Sequence, residues 1–136
     1  MASRDINDLH PELQPICQQF LKQCLQDGID VLVTCTFRSY EEQDRLYAQG
    51  RSMPGAIVTN AKGGQSAHNY MLSDGTFAAK AFDVVPLRQG KCIWGTSGHD
   101  GEIWQAIGKI GMDLGLNWYG TAGSKFKEFP HFQMKE

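Results

Sequence analysis

Leu13, Ile16, Cys17, Phe20, Leu21, Cys24 and Leu25 recur at spacings of three and four. That period builds one apolar face and predicts an amphipathic helix over residues 11–27. Pro11 stands where a first helical residue belongs, and Gly28 closes the end. From Ile29 to Phe37 the pattern changes: Val31, Val33, Thr34 and Thr36 are β-branched, which predicts a strand. Ser39 and Glu42 then have capping-box spacing and open a second helix that Gly50 stops. Residues 51–80 are rich in Gly, Ser, Asn and Ala and read as loop, with Asn60 to Ser66 a mobile approach to a site.

Ala81 to Pro86 is a short apolar strand, and residues 87–99 read as a second Gly-rich loop. Asp100 is placed to cap a third helix, with Ile103, Ile107, Ile110 and Leu114 inward and Gly115 at its end. Leu116 to Tyr119 and Phe129 to Gln133 are two further short strands. Pro130 has no N–H to give a ladder, so the last strand is expected at an edge or bulged there. Helix, strand, helix, loop, strand, helix and strands in this order predict a small α+β domain with helices packed on one antiparallel sheet.

The chain has 136 residues, the size of one domain, and enough to bury a core without cross-links. Its hydrophobic fraction of 41%, charged fraction of 21% and net charge of −2 are those of an ordinary globular protein. The basic residues are scattered, so a nucleic-acid partner is not expected. No apolar run approaches a membrane span, and Met1 to Leu13 carries Asp5, Asp8 and Glu12 where a signal peptide has its apolar core. A cytoplasmic chain without membrane insertion is the expectation. Cys17, Cys24, Cys35 and Cys92 include no C-x-x-C pair and read as free thiols, the first two in the helical apolar stripe.

His68, Asp83, Glu128 and His131 carry the candidate chemistry. Two imidazoles and a carboxylate form a donor set suited to a catalytic zinc that keeps one open position. Spacing alone favours hydrogen-bonded or surface roles over a metal site. In an extended segment Glu128 and His131 would face apart; a bulge at Phe129–Pro130 would bring both to one side. His10 and His99 stand at helix starts and read as exposed, and Trp94, Trp118 and Tyr119 as core or groove aromatics.

Ser66-Ala67-His68 with Ala81-Phe82-Asp83, the closing Glu128-Phe129-Pro130-His131-Phe132, and the block Thr36-Phe37-Arg38-Ser39-Tyr40-Glu41-Glu42-Gln43 continuing through Leu46-Tyr47-Ala48-Gln49-Gly50-Arg51 resemble, in order, three motifs of one family. It is the zinc D-Ala-D-Ala carboxypeptidase and L-alanyl-D-glutamate endopeptidase family, which also includes phage endolysins. The resemblance implies the fold shared by DD-peptidases and hedgehog domains. It implies a zinc cofactor on His68, Asp83 and His131, Glu128 as general base, Arg38 on the oxyanion and substrate, and Ser66 as a substrate contact. Fourteen residues separate His68 from Asp83, more than is usual in the family, so Met71 to Lys80 reads as an insertion. Asp74, within that insertion in the turn sequence Ser73-Asp74-Gly75, is a rival ligand. Glu128 stands where the endolysin branch often has Asp.

The resemblance further implies a monomeric peptidoglycan hydrolase whose partner is the stem peptide. The whole of residues 1–136 is taken up by one catalytic domain with no separate wall-binding domain. An L-alanyl-D-glutamate endopeptidase of phage or prophage type, released by a holin, is the first reading. A D-Ala-D-Ala carboxypeptidase and a catalytically inactive wall-binding module are the alternatives.

Overall fold

The computed structural model describes residues 2–121 and 128–135. After a single 3-10 turn at Ile6–Asp8 the chain forms α1 (Gln14–Gln26), β1 (Asp30–Cys35), α2 (Tyr40–Ala48), β2 (Ala81–Arg88), β3 (Lys91–Cys92), α3 (Gly98–Asp113), β4 (Leu116–Trp118) and β5 (His131–Met134). The described strands make one sheet in the order β1-β2-β5-β4, with β3 paired to the end of β2, and every pairing is antiparallel. This is the expected α+β arrangement of helices on an antiparallel sheet.

The helix period predicted for the first segment holds: Cys17, Phe20 and Cys24 are buried on α1. The Phe20 ring packs 5.5 Å from Phe82 and 4.8 Å from Phe132. α3 buries Trp104, Ile107, Gly108, Ile110 and Gly111 beside α1. Gly108 and Gly111 let this helix lie flush on the sheet, because a β-carbon at either would collide with the ring of Trp118 or of Phe132. In an open helix Gly→Ala stabilises by about 1 kcal/mol through propensity. Here the clash wins, and Gly108→Ala is expected to destabilise by about 1–3 kcal/mol. A urea titration checks this; an unchanged or raised midpoint contradicts it.

Register sorts the sheet's two faces. Phe82 pairs with Phe132, and one step along Asp83 pairs with His131. Residues directly opposite share a face and neighbours alternate. The phenylalanines therefore point into the helical layer, and Asp83 and His131 point out of the opposite face. Cys35, paired with Asp83 from β1, joins them there.

Several sequence expectations are corrected. The stretch 87–99 is not all loop: β2 runs to Arg88, reverses through Gln89 and Gly90 at φ 51° and 79°, and returns as β3. Two successive positive φ values suit a tight hairpin turn. Ser97, not Asp100, holds the N-cap position of α3, without a side-chain capping bond. Asp100 lies in the first turn and accepts a 2.6 Å hydrogen bond from Arg88. β5 is neither an edge strand nor bulged at Pro130; it lies between β2 and β4. Pro130 sits in a turn just ahead of it and uses only its carbonyl, which accepts from the Val84 amide at 3.0 Å. The lost N–H therefore costs the ladder nothing.

The predicted loop 51–80 contains a 3-10 turn, Ala67–Asn69. Cys17, Cys24, Cys35 and Cys92 are free thiols, as expected. Burial pushes the Cys17 thiol up to about 12; burial, with Asp27 adding, does the same for Cys24. Among the described residues no helix is long and apolar enough to cross a membrane.

Candidate active site

His68 reaches the sheet from outside it. Ser66 caps the Ala67–Asn69 turn, its Oγ accepting from the His68 amide at 3.2 Å, and Asn69 closes the capping box. The buried Asn69 side chain donates to the Arg38 carbonyl at 2.7 Å, while the Arg38 amide donates to the His68 carbonyl at 2.9 Å. The turn is thus stitched to the junction between β1 and α2. The approach segment 60–66, expected to be mobile, is held to α2 and Asn69: Gly63 N–H donates to Asp44 at 2.7 Å and Gly64 N–H to Asn69 at 3.0 Å.

Three acceptor atoms converge. His68 Nε2 lies 3.0 Å and His131 Nδ1 3.1 Å from the same oxygen, Asp83 Oδ1. His68 Nδ1 lies 2.7 Å from the Thr36 carbonyl, which can only accept. That nitrogen therefore carries the proton, and Nε2 turns a lone pair toward Asp83. His131 Nε2 lies 2.8 Å from Gln133 Oε1; with the proton on Nε2 that oxygen accepts it and Nδ1 turns a lone pair toward Asp83, the form that binds a cation. Two lone pairs and a carboxylate oxygen at hydrogen-bond distance require a proton or a cation between them. Outer partners that fix the imidazole tautomer are a regular feature of metal sites. The residues present therefore fit a metal ion.

In the metal-free protein a proton fills that role. Burial depresses the His68 pKa, but the charge and hydrogen bond of Asp83, with Cys35 adding, outweigh it and hold the pKa near 10. Burial alone would raise Asp83, yet the charge of His68 and the hydrogen bonds from both histidines hold it well below the usual carboxylate range. A histidine raised in the fold contributes stability that is complete below its unfolded pKa of 6.5 and is lost as pH climbs toward 10. The chelated protein is therefore expected to lose several degrees of melting temperature between these limits. Calorimetry across that range checks this, and a flat or rising profile contradicts it.

Cys35, His68 and Asp83 also form a donor cluster, with ligand atoms all within 4.8 Å of one another. Cys35 Sγ, however, lies 3.7 Å from His68 Nδ1, the nitrogen already committed to Thr36. His131 instead meets the lone-pair side and completes a set of two nitrogens and one oxygen.

A cleft of about 420 Å³ opens above these groups, and its lining includes Arg38, Ser66, His68, Asp83, Glu128 and His131. All six sequence candidates thus face one cavity. A turn rather than a bulge brings Glu128 round to His131; the His131 amide donates to the Glu128 carbonyl at 3.4 Å. Arg38 Nη1 donates to Gln43 Oε1 at 2.8 Å, and Nη2 lies 3.5 Å from Asp83 Oδ2.

Asp74 does not reach the cleft. It is exposed in the turn of a small hairpin closed by the Met71–Phe77 bridge and accepts from the Thr76 amide at 2.9 Å. Phe77 of this hairpin stacks on Phe37 at 3.9 Å, which holds the hairpin to the end of the β1 segment. His99 is exposed beside Glu102; Trp118 is core, and Trp94 and Tyr119 are exposed away from the cleft.

Sequence reasoning missed Gln43, Gln133 and the Thr36 carbonyl as supporting groups. Gln43 is buried on α2 and donates to the Ala61 carbonyl at 2.8 Å, so it ties Arg38 to the cleft wall. Gln133 stands two residues from His131, and the strand period alone puts both on one face.

The family model described as D-alanyl-D-alanine carboxypeptidase (VanY) matches residues 6–115. The peptidoglycan L-alanyl-D-glutamate endopeptidase CwlK of Bacillus subtilis (strain 168) is 38% identical over 134 residues, covering 94% of this chain and 74% of its own. The L-Ala D-Glu endopeptidase ChiX of Serratia marcescens has a similar fold, with TM-score 0.59 at 20% identity over 99% of this chain and 89% of that one. The LD-carboxypeptidase LdcB gives TM-score 0.62 at 20% identity over 97% and 68%.

Proposed function

The chain belongs to the D-alanyl-D-alanine carboxypeptidase (VanY) family, and on that footing we propose that it is a zinc peptidase cleaving the L-alanyl-D-glutamate bond of peptidoglycan stem peptides. The observation that carries the reading is the meeting of two histidine lone pairs on one Asp83 oxygen, in a cleft that also holds Arg38 and Glu128. The 38% identity to an L-alanyl-D-glutamate endopeptidase supports the choice of bond.

His68, Asp83 and His131 hold the zinc in this reading. When bound, it supplies a Lewis acid and a water activated near neutral pH. Glu128 removes the proton from the attacking water and passes it to the departing amine. Arg38 offers its guanidinium to the oxyanion as charge develops, and the Gln43 hydrogen bond holds that fork in place. Ser66 keeps His68 in position through the turn it caps and presents its edge to the substrate.

Product analysis tests the choice of bond. Endopeptidase action exposes new amino termini on glutamate; release of free D-alanine instead keeps the site and moves the activity to the carboxypeptidase reading.

A further inference from the structure

A second cavity, of about 750 Å³, adjoins the active-site cleft and shares Gln65, Ser66, Ala67 and Gln133 with it. Its charge differs from that of the first. The active-site cleft carries the carboxylates of Asp83 and Glu128, with Arg38 Nη2 3.5 Å from Asp83, whereas the described lining of the second contains Lys80 and Lys135 and no acidic side chain. Its wall is aromatic: Tyr40 and Tyr70 are 49% and 39% exposed, too open for core residues. The Lys80 ammonium lies 4.0 Å above the Tyr70 ring, which fixes its place on the groove wall. Lys135 is the next alternate position after His131 and Gln133, so the sheet period carries one row from the cation site into this groove.

We propose that this groove is the subsite for the carboxylate-bearing side of the substrate, seating the glutamyl residue beyond the scissile bond. This rests on the peptidase reading above. Of the two sides of an alanyl–glutamyl bond, only the glutamyl side keeps a free carboxylate when its other carboxyl is used in the chain. The alanyl side is a methyl group and suits the apolar part of the active-site cleft, whose lining includes Leu46, Val58 and Ala61. Lys80 selects the anionic side by charge, and Tyr70 holds Lys80 in place while it does so.

The probes are the tripeptide L-alanyl-γ-D-glutamyl-L-lysine and the same tripeptide with its glutamyl α-carboxylate amidated. The zinc-loaded chain is expected to cleave the free-acid peptide with a KM about fivefold lower than the amide, the upper range for one solvent-accessible ion pair. Lys80→Gln removes most of that preference between the two peptides, and Lys80→Arg restores it. Equal KM values for the two peptides in the unaltered chain, or a preference that survives Lys80→Gln, overturn the proposal. Calorimetric affinities for the same pair of peptides give a readout independent of turnover. Should neither peptide be hydrolysed, the peptidase reading fails; the groove assignment then stands or falls on whether binding still discriminates acid from amide through Lys80.

Discussion

Glu128→Gln is expected to lower kcat by about 10²–10⁴-fold while the protein stays folded and keeps its zinc. Glu128 lines the cleft but is none of the three groups whose lone pairs converge, so its loss removes the proton acceptor and leaves the cation site whole. The amide is nearly isosteric with the acid and cannot take a proton at working pH. Metal analysis and steady-state kinetics on the same preparation separate the two effects. A variant within a few-fold of the parent rate shows that another group is the base. A variant that loses zinc places Glu128 among the ligands.

His68→Ala is expected to abolish both metal binding and activity. His68 is almost wholly buried, with one nitrogen on the Thr36 carbonyl and the other on Asp83. Its removal strips one ligand, orphans the Thr36 carbonyl and leaves Asp83 with Arg38 and His131 alone. Uncompensated buried polar groups cost about 1–3 kcal/mol each, so stability should fall as well. His68→Gln, which keeps polarity and much of the volume, separates metal loss from unfolding. Stoichiometric zinc in that variant contradicts the assigned ligands and points to Cys35, the nearest other donor.

What the sequence could reveal follows the range of the forces involved. The apolar stripe of α1 and the cap at Ser39 are local signals, and both elements form there, although α1 starts at Gln14 and leaves Pro11 in the turn before it. His68, Asp83, Glu128 and His131 were legible through motifs, and the structure brings all four to one cleft. The β2–β3 hairpin was not, because its turn residues, Gln89 and Gly90, lack the Asn-Gly or Asp-Gly signature. The edge placement of Pro130 failed because the proline rule governs residues inside a ladder, and strand pairing begins one residue later. Gln43 and the Thr36 carbonyl act through contacts between elements distant in sequence, which no local pattern encodes.

The central claim is that the cleft over His68, Asp83 and His131 is a metal-dependent peptidase site for the L-alanyl-D-glutamate bond. The most direct test is a digest of purified peptidoglycan by the zinc-loaded chain, with and without a chelator, read by mass spectrometry of the fragments. Cleavage between L-alanine and D-glutamate that the chelator stops and added zinc restores is the predicted result. Cleavage that the chelator leaves undiminished, or none by the folded, zinc-loaded chain, contradicts it.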